Sequence, residues 1–133
     1  MEKEKKYKVL VVEDDDFLSE MYSLKLNMEG FDVKVGHDGD EGLKLAKKFL
    51  PDIILLDLLM PKKNGYEVLG DLKKSERLKH IPVIILSNLG QKEEVKKGMD
   101  LGAETFLTKA HYMPSEVISM VREILTKEQA KTK

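Results

Sequence analysis

The stretch KVLVVEDDDFL, Lys8–Leu18, joins two opposed kinds of chemistry. Val9–Val12 are fit for a strand buried on both faces, and they run directly into Glu13, Asp14, Asp15 and Asp16. Four neighbouring carboxylates repel one another at neutral pH, and desolvating any of them is costly. A fold that ends a buried strand in such a cluster needs a use for the charge.

Outward from this stretch the same grammar repeats. Phe31–Val35, Ile53–Leu56, Val83–Leu86 and Thr105–Thr108 are further short apolar runs, each bounded by polar sequence. Amphipathic stretches lie between them. Phe17, Met21, Leu24 and Met28 are spaced 4, 3 and 4, which predicts a first helix buried on that face and closed by Gly30. Asp40–Leu50 gives a second helix, stopped by Pro51, and Tyr66–Lys74 a third. Pro114 opens a fifth, whose stripe is Val117, Val121, Ile124 and Leu125. The fourth, Lys92–Leu101, offers a core only Val95 and Met99 and carries Gly98, so its docking is expected to shift easily.

Strand and helix alternate five times, which implies an α/β fold with a parallel sheet covered by helices on both faces. The usual form is a flavodoxin-like (βα)5 three-layer sandwich of strand order 2-1-3-4-5. Ligands then sit beyond the carboxyl ends of the strands, at the switch point between strands 1 and 3. On that topology Glu13 and Asp14 from strand 1, Asp57 from strand 3, Ser87 from strand 4 and Lys109 from strand 5 meet at one edge. Clustered carboxylates without His or Cys favour a hard divalent cation such as Mg²⁺. Lys109 offers a compact positive charge to phosphoryl oxygens, and Ser87 a donor that rotates to meet them. A carboxylate in such a setting can act as a nucleophile and form an aspartyl phosphate.

Composition excludes several alternatives. The 133 residues carry 23 Lys and Arg against 24 Asp and Glu, a net charge of −1. Without global basicity or a basic amphipathic helix, neither direct nucleic-acid binding nor a membrane surface is expected. The absence of cysteine rules out disulfides and thiolate metal sites. No apolar stretch approaches the roughly 20 residues that span a bilayer, and the N-terminus lacks the apolar core of a signal peptide, so the expected location is cytoplasmic.

Four strings in order, VLVVEDD, LLDLLMPKKNG, PVIILSN and GAETFLTK, each at a strand end, make the chain resemble the receiver domain of two-component response regulators. The resemblance implies that Asp57 is the phosphoacceptor, and that Glu13, Asp14, Asp57 and the backbone carbonyl of Leu59 hold Mg²⁺. It also implies that Lys109 and Ser87 contact the phosphoryl oxygens, and that Ser87 and Phe106 switch on phosphorylation. The donor would be a phosphohistidine on a sensor histidine kinase or histidine phosphotransfer protein. The signal would leave through the helix 4–strand 5–helix 5 face to a downstream protein, from a monomer or a phosphorylation-dependent dimer.

On this reading residues 7–128 form a stand-alone receiver between charged tails, 1–6 and 129–133. It would catalyse only its own phosphorylation and dephosphorylation and would not otherwise be an enzyme. Two residues depart from the family pattern. Ala110 stands where a cis proline usually follows the lysine, so a trans bond is expected there, and Asn88 replaces a very small residue. Those departures leave a rival reading, a degenerate receiver that binds proteins without phosphorylation. Asp15 and Asp16 read more simply as capping or first-turn acids of helix 1 than as metal ligands. His37, His80 and His111 share no metal-ligand spacing.

Overall fold

A computed structural model describes residues 6–131 of the chain, so the tail residues 1–5 and 132–133 lie outside the described part. Five strands alternate with five helices: β1 (Lys8–Val12), α1 (Asp16–Met28), β2 (Asp32–Gly36), α2 (Gly39–Phe49), β3 (Ile53–Leu56), α3 (Gly65–Lys74), β4 (Val83–Ser87), α4 (Lys92–Asp100), β5 (Thr105–Thr108) and α5 (Pro114–Lys131). A single 3₁₀ turn, Lys109–His111, joins β5 to α5. α5 continues to Lys131, into the charged C-terminal stretch.

The strands form one parallel sheet in the order β2-β1-β3-β4-β5, as expected for the flavodoxin-like sandwich. In β1, β3, β4 and β5 alternate side chains enter different cores because successive residues point to opposite faces, whereas edge strand β2 packs Val33 and Val35 on one core only. Val9 and Val11 pack with Tyr22 and Leu26 of α1 and with Val117, Val121 and Ile124 of α5. Leu10 and Val12 pack on the other face with Ala46 of α2 and with Val68, Leu69 and Leu72 of α3. Strands buried on both sides have no solvent face to mark with polar residues, hence the unbroken apolar runs.

The buried face of α1 differs from expectation. Its inward residues are Ser19, Tyr22 and Leu26; of the expected face Met21 packs at the core edge, whereas Phe17 and Met28 are each 76% exposed and Leu24 also faces out. The helix carries two apolar stripes about one residue apart in phase, and spacing alone does not choose between them. Asp15 caps the helix by accepting a hydrogen bond from the Leu18 N–H at 2.9 Å, and in the helix that starts there Tyr22 and Leu26 pack into the core. Gly30 closes α1 as expected, at φ 94°, a conformation that costs glycine little.

α4 is as poorly anchored as its sequence suggests. Gly98 is its one fully buried residue, Val95 is half-buried, and Met99 is exposed. The stripe of α5 is buried as read: Val117, Val121, Ile124 and Leu125 all lie in the core.

Candidate functional site

Register assembles the site. Val12 pairs with Leu56 across β1 and β3, and Leu56 with Ile85 across β3 and β4. Ser87 pairs with Thr108 across β4 and β5. The residues that follow these pairs, Glu13, Asp57 and Lys109, therefore emerge at one edge of the sheet, with Ser87 among them. The Asp57 N–H donates to the Val12 carbonyl at 3.0 Å, which carries the β1–β3 ladder one step past the strand ends.

Glu13 and Asp57 are 4% and 6% exposed, Ser87 is fully buried, and Asp14 faces solvent. One carboxylate oxygen from each of Glu13, Asp14 and Asp57 lies within 4.8 Å of the other two. Three hard oxygen donors, two sheltered and one open to water, fit Mg²⁺, which prefers oxygen ligands and keeps part of its water shell. Lys109, with a side chain only 12% exposed, donates to Glu13 Oε1 at 2.6 Å and stands 3.5 Å from Asp57 Oδ2.

Burial pushes the carboxyls of both Glu13 and Asp57 above their ordinary range, because desolvation penalises the charged form. Lys109 opposes this at both groups, and the Leu58 N–H, donating to Asp57 Oδ1 at 2.8 Å, also favours the ionised form of Asp57. Burial opposes the charge of Lys109 too. The hydrogen bond to Glu13 and the negative charge of Asp57 outweigh it, so the ammonium is held protonated.

The neighbouring loops are set by local chemistry. Asn64 caps α3 in a capping box with Glu67, and Gly65 begins the helix against the Asp57–Leu58 backbone. A β-carbon at Gly65 would collide with the Asp57 carbonyl oxygen and stand 2.7 Å from Leu58 Cα, so only glycine lets the loop close this tightly. The Ser87 hydroxyl accepts from the Leu89 N–H at 3.2 Å. Among the described residues no peptide bond is cis, so Lys109–Ala110 is trans, as the alanine implies.

Phe106 is half-buried on β5 beside the core of α2 and α3. Leu59 is 58% exposed at the mouth of the site, Asn88 faces solvent, and the three histidines are exposed. Asp15 and Asp16 serve α1, as cap and first-turn acid. Two residues were not singled out from the sequence. Tyr22 lies beneath the site, lining a small space with Glu13 and Asp57, and Leu58 supplies an N–H to the Asp57 carboxylate. Backbone donors leave no mark in side-chain identity, and Tyr22 reads as an ordinary core aromatic.

A family profile described as the response regulator receiver domain matches residues 9–122. The chain belongs to that family. It is 39% identical over 118 residues to the DNA-binding dual master transcriptional regulator RpaA of Synechocystis, covering 89% of this chain and 48% of RpaA. It is 38% identical to the transcriptional regulatory protein CpxR of Klebsiella pneumoniae, covering 89% of this chain and 49% of CpxR. The receiver domain of the Francisella response regulator 1452 superposes with a TM-score of 0.84 at 33% identity, covering 92% of this chain and 98% of that one.

The receiver chain spans about half the length of these curated relatives. They also correct one expectation. A balanced net charge argued against direct nucleic-acid binding, yet RpaA is named as a DNA-binding regulator. Charge summed over a receiver reports only that receiver's surface and says nothing of how its family meets DNA. Among the described residues no helix is long and apolar enough to cross a membrane.

Proposed function

We propose that this receiver accepts a phosphoryl group from a phosphohistidine onto Asp57 in a Mg²⁺-dependent reaction, and signals by a change in the α4–β5–α5 face. An Asp57 carboxylate oxygen forms a bond to phosphorus as the donor's N–P bond breaks, and the histidine imidazole leaves. The observation that carries this reading is the single ammonium of Lys109 set between Glu13 and Asp57 in a three-carboxylate cluster. Such a cluster is poorly balanced alone and gains when a divalent cation and a phosphoryl group arrive together.

Glu13, Asp14, Asp57 and the Leu59 carbonyl would hold Mg²⁺, which supplies charge neutralisation for the transferring oxygens. Lys109 moves its charge from the free carboxylates to the phosphoryl oxygens, and the buried Ser87 hydroxyl offers them a donor when it leaves the Leu89 N–H. In this reading the protein's only catalysis is its own phosphorylation and dephosphorylation. The names of its relatives point to transcription regulated on DNA as the output.

Intact-mass analysis after acetyl phosphate, with and without Mg²⁺, tests the reading on wild type and Asp57→Asn. A phosphoryl adduct that requires both Mg²⁺ and Asp57 is expected. Its absence from acetyl phosphate and from a histidine kinase alike would favour the phosphorylation-independent binding module.

A further inference from the structure

α4 has little to hold it. Its N-cap, Gln91, makes no side-chain capping bond, and Gly98 is its one fully buried residue. Gly98 fits a notch over the sheet, where an added β-carbon would stand 2.6 Å from Ile85 Cδ1 and 3.3 Å from the Phe106 ring. Nearer the start of the helix the hold comes from α3. The Tyr66 hydroxyl donates to the Glu94 carbonyl at 3.1 Å, and Lys97 Nζ lies 4.2 Å from the Tyr66 ring centroid. One aromatic side chain thus engages α4 through both its polar tip and its face.

Tyr66 follows Gly65, whose α-carbon is seated against the Asp57 and Leu58 backbone. The Gly65 N–H donates to the Leu58 carbonyl at 3.0 Å, and this bond and the close approach tie the first turn of α3 to the backbone beside Asp57. We propose that Tyr66 is a strap fastening α4 to the start of α3, and that it hands movement at Asp57 to α4 by a route separate from Ser87 and Phe106. The coupling half of this inference rests on the phosphoacceptor reading of Asp57; the fastening half does not. A contact carries a signal only if its loss changes the balance between two arrangements of the element it holds.

Hydrogen exchange of the α4 amides, residues 92–100, tests both halves in the whole chain, free and with beryllofluoride plus Mg²⁺ as a phosphoryl mimic. In the free protein Tyr66→Phe, which removes only the hydroxyl, is expected to speed α4 exchange about fivefold and leave β1 and β3 unchanged. Lys97→Gln keeps the hydroxyl and is expected to change α4 exchange less than twofold. With the mimic bound, the α4 response of wild type is expected to fall by at least half in Tyr66→Phe.

Unchanged α4 exchange in free Tyr66→Phe, or an equal rise across the sheet, overturns the strap. A full α4 response in mimic-bound Tyr66→Phe overturns the coupling. Fluorine NMR showing no beryllofluoride bound to wild type counts against the phosphoacceptor reading instead, and the free-protein comparison still decides the strap.

Discussion

Lys109 Nζ is bonded to Glu13 Oε1 at 2.6 Å and stands 3.5 Å from Asp57 Oδ2. The ammonium is nearer Glu13 than Asp57, so it occupies the region where a metal's charge would also be wanted. Lys109→Met is therefore expected to raise Mg²⁺ affinity at least about fivefold, because it removes a like charge from beside the ion. It should also slow phosphorylation by acetyl phosphate by roughly a hundredfold, through loss of charge on the transferring oxygens. Titration calorimetry and adduct kinetics on the same variant check both arms, and weaker Mg²⁺ binding would contradict the first.

The run Glu13–Asp16 divides by role, and paired alanines separate the parts. Asp14→Ala is expected to remove most Mg²⁺ affinity, whereas Asp16→Ala should leave it within about twofold. Asp15→Ala should cost roughly 1 kcal/mol of stability in urea unfolding, through loss of the cap on α1. Equal metal loss from all three variants would mean the acids act only as a diffuse field.

Burial raises the carboxyls of Glu13 and Asp57, so the folded metal-free protein retains protons that the unfolded chain has released. These groups are therefore least costly to the fold on the acid side, and stability falls as pH rises through their raised folded values. Mg²⁺ needs them ionised, so its affinity has the opposite slope, rising with pH by up to about tenfold per unit for each proton released. Calorimetry from about pH 5 to 7.5 in buffers of different ionisation enthalpy reads this directly. Asp57→Asn should stabilise the metal-free fold, and a less stable variant would refute the assignment of burial as the dominant cause.

Two glycines of α3 make a matched pair. Gly65→Ala places a methyl group against the Asp57 carbonyl and should cost about 1–3 kcal/mol. At Gly70 an added methyl meets nothing within 4 Å, and Gly70→Ala should gain up to about 1 kcal/mol from helix propensity. Thermal unfolding of both variants checks the contrast.

Much of this architecture is legible in the chain because two-sided burial leaves a strong signal. Ile53–Leu56 and Thr105–Thr108 coincide with β3 and β5, and the carboxyl ends of β1, β3, β4 and β5 deliver Glu13, Asp57, Ser87 and Lys109 to one edge. What escaped was phase and contact. Of the 4-3-4 face through Phe17 only Met21 packs on the core, while Ser19, Tyr22 and Leu26 take the buried side of α1. The hydrogen bond from Tyr66 to Glu94 joins residues 28 apart across two helices, and nothing local to either residue encodes it. Summed charge likewise said nothing about DNA, because the DNA-binding regulator RpaA is about twice the length matched here.

The cap at Asp15 bears on which changes this junction tolerates in evolution. Removing one residue between Val12 and Ser19 would turn α1 by about 100° against the sheet, withdrawing Tyr22 and Leu26 from the core. A deletion at Glu13 or Asp14 would also shift the acids out of step with Asp57. Point substitutions at Asp16 or Phe17, both exposed, meet neither obstacle. The junction is thus free in spelling at its outer positions and fixed in length, so insertions and deletions should be purged there far more strictly than substitutions.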